Sequence, residues 1–120
     1  GQMLASVFIE AQFSVLILGF LIAAIIRIAQ GSATVAMITG AGLIAPVLTL
    51  QPMSAAMLGL LVIAISSGAT ILSHVNDSGF WLVSRYLGMS EKDTLKTWTV
   101  MTTLISLTGL TSCLAISLFL

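Results

Sequence analysis

The sequence predicts an all-α integral membrane protein: polytopic helices that include a re-entrant hairpin and a broken helix. Three observations lead there. Hydrophobic residues make up 58% of the chain and charged residues only 7%, with a mean hydropathy of +1.18, whereas soluble domains carry about 25% charged residues. So few charges cannot cover a water-facing surface, so the solvent is lipid. The apolar residues fall in long runs, not in the ~10-residue alternating strands of a membrane barrel, which selects helices. Finally, the run from Ile28 to Val75 holds no Lys, Arg, Asp or Glu, and around its end stands the stretch Ser73-His74-Val75-Asn76-Asp77-Ser78-Gly79-Phe80-Trp81.

The first apolar segment runs from about Val7 to Ala29, interrupted by Glu10, Gln12 and Arg27. The second, Ala33 to Leu50, is uncharged and contains Gly40, Gly42 and Pro46. Together residues 7–50 read as a hairpin-like pair of broken segments. Ser54 to Leu72 is just long enough to cross ~30 Å of hydrocarbon, and with Phe80 to Leu87 it forms a broken helix over 54–87. Residues 88–97 read as a cytoplasmic amphipathic loop, in which Gly88 stops one helix and Ser90-Glu91-Lys92-Asp93 starts a short one, with Ser90 as N-cap. Trp98 to Leu120 carries no charge and is the terminal spanning helix, with Trp98 where an interfacial aromatic belongs. Arg85, Lys92 and Lys96 make the preceding loop the one with several basic residues, which places it in the cytoplasm. Small residues at helical spacing, Ala36/Gly40, Ala55/Gly59 and Ala64/Gly68, mark faces where helix backbones approach closely in lipid.

Other classes are excluded by what the chain lacks. Net charge is zero, with four basic and four acidic side chains, so nothing points to nucleic acid. Cys113 is the one cysteine, which rules out a disulfide within the chain and fits a buried, inert thiol. No residue pattern calls for a cofactor or a metal, and none marks an enzyme. The start, Gly1-Gln2-Met3, lacks a basic n-region and a small-residue cleavage site, so it is not read as a signal peptide. The chain is expected to begin inside a larger protein.

Two polar breaks carry the functional reading. Gln30-Gly31-Ser32-Ala33-Thr34 separates two apolar segments without a charge or a proline. A tight turn between antiparallel arms inside the membrane explains it, since such backbone is tolerated where it lines a cavity. Ser32 or Thr34 would cap the next helix and leave backbone N–H groups facing a carboxylate or phosphate, with Arg27 adding a full positive charge. The bland alternative is an interfacial turn, with Arg27 snorkelling to the headgroups. In the second break, Ser73, Asn76, Asp77 and Ser78 favour caps and turns. At depth, Asp77 costs about 2.5–3.5 kcal/mol and needs a partner, a ligand or a proton, while His74 is the side chain suited to proton exchange near neutral pH. Here the alternative is a surface cap with His74 among the headgroups. Two broken segments facing each other are the recurrent site architecture of secondary transporters.

Three blocks carry a family resemblance: Arg27-Ile28-Ala29-Gln30-Gly31-Ser32-Ala33-Thr34-Val35-Ala36, Leu72-Ser73-His74-Val75-Asn76-Asp77-Ser78-Gly79-Phe80-Trp81-Leu82-Val83 and Leu95-Lys96-Thr97-Trp98-Thr99-Val100. In order and spacing they resemble the C-terminal portion of the gluconate permease family of bacterial proton symporters. The resemblance implies an ion-transporter-superfamily-like carrier of the bacterial inner membrane with two re-entrant hairpins, whose N-terminal half this chain lacks. It also implies proton-coupled uptake of gluconate or a related sugar acid, with D-serine or another small hydroxylated carboxylate in some members.

No residue-level mechanism comes with the resemblance, so the site is read from the residues. The substrate carboxylate is expected at Gly31, Ser32 and Thr34, helped by Arg27; Asn76, Ser78 and Gln30 are expected to bind hydroxyls; Asp77, with His74 second, is expected to carry the proton. The rival reading is a non-transport helical subunit or scaffold whose polar breaks only cap helices.

Overall fold

The computed structural model describes residues 2–120, apart from the side chains of residues 2, 5, 8 and 9. Its first two helices form a tight hairpin. Helix α1 (Gln2–Gln30) ends where Gly31 takes φ +76° and donates its N–H to the Arg27 carbonyl. Ser32 then caps α2 (Ala33–Leu50), its Oγ accepting from Val35 N at 3.2 Å. Only Gly31 and Ser32 lie between the two helices. Ser54 caps α3 (Ala55–Gly68) in the same way, accepting from Met57 N.

The chain is non-helical from Ala69 to Asp77, with Leu72 in the left-handed region at φ 48°. Asp77 caps α4 (Ser78–Tyr86), its Oδ1 accepting from Gly79 N at 3.1 Å. Helix α4 ends in a Schellman motif: Gly88 sits at φ +64°, Gly88 N donates to Arg85 O, and Met89 N donates to Ser84 O.

Ser90 caps α5 (Glu91–Thr94) through Asp93 N, as its sequence predicts. The expected loop over 88–97 is, however, much shorter. Helix α5 runs through a π-helical turn (Leu95–Thr99) directly into α6 (Val100–Ser117). Once Ser90 satisfies the first turn, no proline follows to stop the helix, and the first glycine, Gly109, comes well inside the span.

The neighbours of particular residues give the directions. Gly40 packs against Ala23, so α2 runs antiparallel to α1. Gly19 packs against Leu61 and Ile65, and Gly68 against Phe20 and Ala24, so α3 runs parallel to α1. Helix α6 returns antiparallel to α3, with Gly109 on Ser67 and the Cys113 thiol on the Leu60 carbonyl. The core at these contacts includes Leu16, Ala23, Ala36, Met57, Leu61 and Ala64. Cys113 is buried among them, as expected for an inert thiol.

Small residues set these distances, because in lipid the helices associate by close packing and not by exclusion of water. Two of the three expected small-residue faces pack: Ala36/Gly40 and Ala64/Gly68 are buried. Ala55/Gly59 does not. Both residues are exposed, and nothing lies within 4 Å of where a Gly59 Cβ would stand. Spacing marks a smooth face but does not say which face meets a neighbour.

Among the described residues, three helical stretches are long and apolar enough to cross a membrane: Glu10–Gln30, Ala33–Leu50 and the continuous Glu91–Ser117. Outward-facing Ile25, Ile38, Val62 and Ile105 suit a lipid surround. The Gly31–Ser32 turn therefore joins two helices that each have the length of a full crossing. With α1 and α3 parallel, the end of α1, the start of α2, the end of α3 and the start of α6 gather at one end of the bundle.

A Cβ at Gly68 would fall 2.3 Å from the Phe20 carbonyl oxygen. Gly68→Ala should therefore push α3 off α1 and cost about 2 kcal/mol, whereas Gly59→Ala should stay within about 0.5 kcal/mol of the parent. Thermal unfolding of the two variants in detergent checks the contrast.

Candidate functional site

The two polar breaks meet. Residues Gln30–Thr34 and Asn76–Gly79, with Leu82, line one open cavity of about 430 Å³, within the usual range for small-molecule sites. Helices α2 and α4 both start at this cavity. The first-turn N–H groups of a helix have no partner within it, and its N-terminus carries a partial positive charge. Ser32 and Asp77 satisfy one such group each, at Val35 and Gly79. What remains at the cavity is a pair of helix starts suited to an anion.

Behind the cavity, Arg27 is 5% exposed and fully engaged. Its Nη1 donates to Gly31 O at 2.7 Å and its Nε to Ile71 O at 3.3 Å. Its Nη2 forms an ion pair with Asp77 Oδ2 at 2.7 Å. Asp77 Oδ2 also accepts from the Ser73 hydroxyl. Ser73 is wholly buried, and its Oγ accepts from Trp98 Nε1 at 2.9 Å. Its backbone is held by α6 and the turn before it: Ser73 N donates to Thr102 Oγ1, and Thr99 Oγ1 donates to Ser73 O.

The remaining polar residues of the second break close the end of α1. Asn76 Nδ2 donates to Ile28 O at 2.9 Å, and His74 Nε2 lies 3.1 Å from the same oxygen. A carbonyl can only accept, so Nε2 carries the hydrogen. Gly31 is held against Asn76: a Cβ there would lie 2.2 Å from the Asn76 carbonyl oxygen, and φ +76° already favours glycine. Trp81 donates from Nε1 to Val75 O at 2.8 Å and meets Phe80 edge-on, which fixes the first turn of α4.

The residues singled out in the sequence thus come together at one end of the bundle. Gln30, Gly31, Ser32, Thr34, Asn76, Asp77 and Ser78 line the cavity. Arg27 stands behind Gly31 and Asp77, and His74 sits on the α1 terminus. Ser73 and Trp98, with Thr99 and Thr102, join this network although the sequence does not mark them as site residues. Ser73 is visible in hindsight as a hydroxyl four residues before Asp77. Trp98 reads as an interfacial aromatic, and nothing local betrays its bond to Ser73.

Comparison with known proteins adds the family. The model of the GntP family permeases matches residues 1–119. The chain belongs to that family. It is 51% identical over its whole length to a gluconate permease of Pseudomonas aeruginosa. It is 44% identical over 115 residues, 96% of the chain, to a high-affinity gluconate transporter of Escherichia coli, and 44% identical over 117 residues, 98% of the chain, to an L-idonate transporter of the same organism. The chain spans 26% of the length of each of these curated relatives. No solved structure matches it.

Removing either partner of the ion pair leaves the other charge partly buried, at 5% and 14% side-chain exposure. Arg27→Ala and Asp77→Ala should each destabilise the GntP-family bundle by about 3 kcal/mol. The double variant should lose far less than the sum. A double-mutant cycle on unfolding in detergent measures that coupling; strict additivity would mean that the pair contributes nothing.

Proposed function

We propose that the chain forms part of a secondary active transporter that takes up gluconate or a related sugar acid with protons across the bacterial inner membrane. The convergence of the α2 and α4 starts on one polar cavity carries the reading. Helix N-termini that point at an anionic substrate group are a recurrent device of carriers, and the relatives are named as gluconate and idonate carriers.

In this reading the carboxylate rests on the Gly31–Thr34 turn, against the α2 N-terminus with the Ser32 and Thr34 hydroxyls. Gln30, Asn76 and Ser78 face the polyol. Arg27 adds the positive charge from behind the turn. Asp77 takes and releases the coupled proton, with His74 as the second candidate. The basic set Arg85, Lys92 and Lys96 faces the cytoplasm.

The test is substrate protection in the intact permease. Thr34→Cys and Ser78→Cys, in a background with Cys113→Ala, should react with a small hydrophilic maleimide. Saturating gluconate should slow both reactions at least fivefold, and an uncharged hexitol should slow neither. Equal labelling with and without any sugar acid would favour a scaffold whose breaks only cap helices.

A further inference from the structure

We propose that the Arg27–Asp77 ion pair is an exchange latch: the substrate carboxylate takes the place of Asp77 on Arg27 Nη2 only when Asp77 takes a proton. The inference rests on the sugar-acid reading and names how that site couples anion to proton.

The argument starts from what Asp77 can do as observed. Its Oδ2 accepts from Arg27 Nη2 and from Ser73 Oγ, and its Oδ1 accepts from Gly79 N. Three donors converge on it, two of them on Oδ2, so the group in this arrangement is a carboxylate held chiefly at that oxygen. A proton cancels the charge that binds the guanidinium, so on protonation the charged donor is the one whose hold weakens. Gly79 N is fixed by the start of α4. The Ser73 hydroxyl is aimed at Asp77 because its own oxygen already accepts from Trp98. Arg27 is the donor that can change partner.

Arg27 is also built to remain in place when it does. Its Nε and Nη1 are anchored on the carbonyls of Ile71 and Gly31. Only Nη2 needs to switch, and the planar fork of a guanidinium presents it to any carboxylate in plane. Arg27 does not line the cavity, whereas Gly31 and Asp77 do. A substrate therefore reaches the guanidinium only where Asp77 gives way.

The charges balance. At rest the cation of Arg27 is matched by the anion of Asp77. After exchange it is matched by the substrate carboxylate, and the proton resides on the Asp77 carboxyl. The proton comes from the aqueous phase and no other bond is made or broken. A proton without an anion leaves Arg27 unmatched, and an anion without a proton leaves two carboxylates on one cation. Both cost more than the paired states in a half-buried site.

Other charges do not interfere. Among the described residues Arg27 is the one charged side chain within ion-pair distance of Asp77. On its own segment His74 is engaged at Ile28 O. The first turn of α2 and the Trp98, Thr99 and Thr102 side chains around Ser73 are uncharged. Arg85, Glu91, Lys92, Asp93 and Lys96 are exposed on the outer surface.

The experiment measures gluconate binding to the purified intact permease from pH 5 to pH 8, together with proton uptake by indicator dye. Wild type should take up about one proton per gluconate, and above the midpoint its Kd should weaken about tenfold per pH unit, as one-proton linkage requires. Asp77→Asn should bind as tightly as wild type does at pH 5, with a flat profile and no proton uptake. Arg27→Gln combined with Asp77→Asn removes both charges together, so folding is preserved, and should weaken binding at least tenfold relative to Asp77→Asn alone. A wild-type slope retained in Asp77→Asn would move the proton to another group and overturn the latch. Undiminished affinity in the double variant would overturn it equally. Failure of wild type to bind any sugar acid at every pH would instead remove the substrate reading on which the latch stands.

Discussion

The ion pair between Arg27 and Asp77 ties together residues 50 positions apart in the chain, and the geometry around the cavity follows from it. From the last turn of α1, the planar guanidinium of Arg27 donates to the Gly31 and Ile71 carbonyls. Once Asp77 is fixed against that plane, its other oxygen starts α4, and Ser73 is drawn under it to meet Trp98. A charge pair of this kind adds little to net stability, because removing two ions from water costs nearly what their attraction returns. Its contribution is placement. Without it, the segment from Ala69 to Asp77, with its left-handed Leu72, would be registered against α1 by hydrogen bonds to neutral carbonyls alone, from Arg27 Nε to Ile71 O and from His74 and Asn76 to Ile28 O.

What the amino-acid order reveals and what it conceals divide along a physical line. Caps are local chemistry, so Ser32, Ser54, Asp77, Ser90 and the Gly88 stop can be placed from their neighbours alone. Runs of apolar residues give the helices, and family blocks give the pairing of the two breaks. Partnerships across the bundle are not periodic and leave no local trace. Arg27 looks like a free cation beside a turn, yet all three of its nitrogens are engaged. Asn76 and His74 look like free polar groups, yet their nitrogens meet the Ile28 carbonyl at the end of α1, while Asn76 also lines the cavity. The exposed Ala55/Gly59 pair is indistinguishable in sequence from the buried Ala64/Gly68 pair. The two pairs lie on opposite faces of α3, and only which face meets α1 separates them.

The topology also explains why two helix starts face one cavity. A two-residue turn forces α2 to begin where α1 stops. Helix α3 runs parallel to α1, so its end arrives at the same level, and the short irregular segment after it delivers α4 there as well. Two positive helix ends would repel one another across an empty space, but the arrangement is offset by the Asp77 carboxylate between them. The same carboxylate neutralises a buried guanidinium. One acidic side chain thus balances three sources of positive potential.

The π-helical turn at Leu95–Thr99 has a consequence for how the last helix is phased. At 3.6 residues per turn, five positions carry a side chain about 140° beyond its starting direction. Thr94 and Thr99 are five apart and both are buried, and the wider i→i+5 turn brings them nearer to one direction. The wider turn absorbs the excess rotation. Downstream, Thr102, Ser106, Cys113 and Ser117 form the buried stripe, while upstream Lys92 and Lys96 stay exposed. The turn works as a phase shifter. It lets a water-facing start and a packed span obey separate periodicities within one continuous rod, with the Trp98 indole at the joint between them.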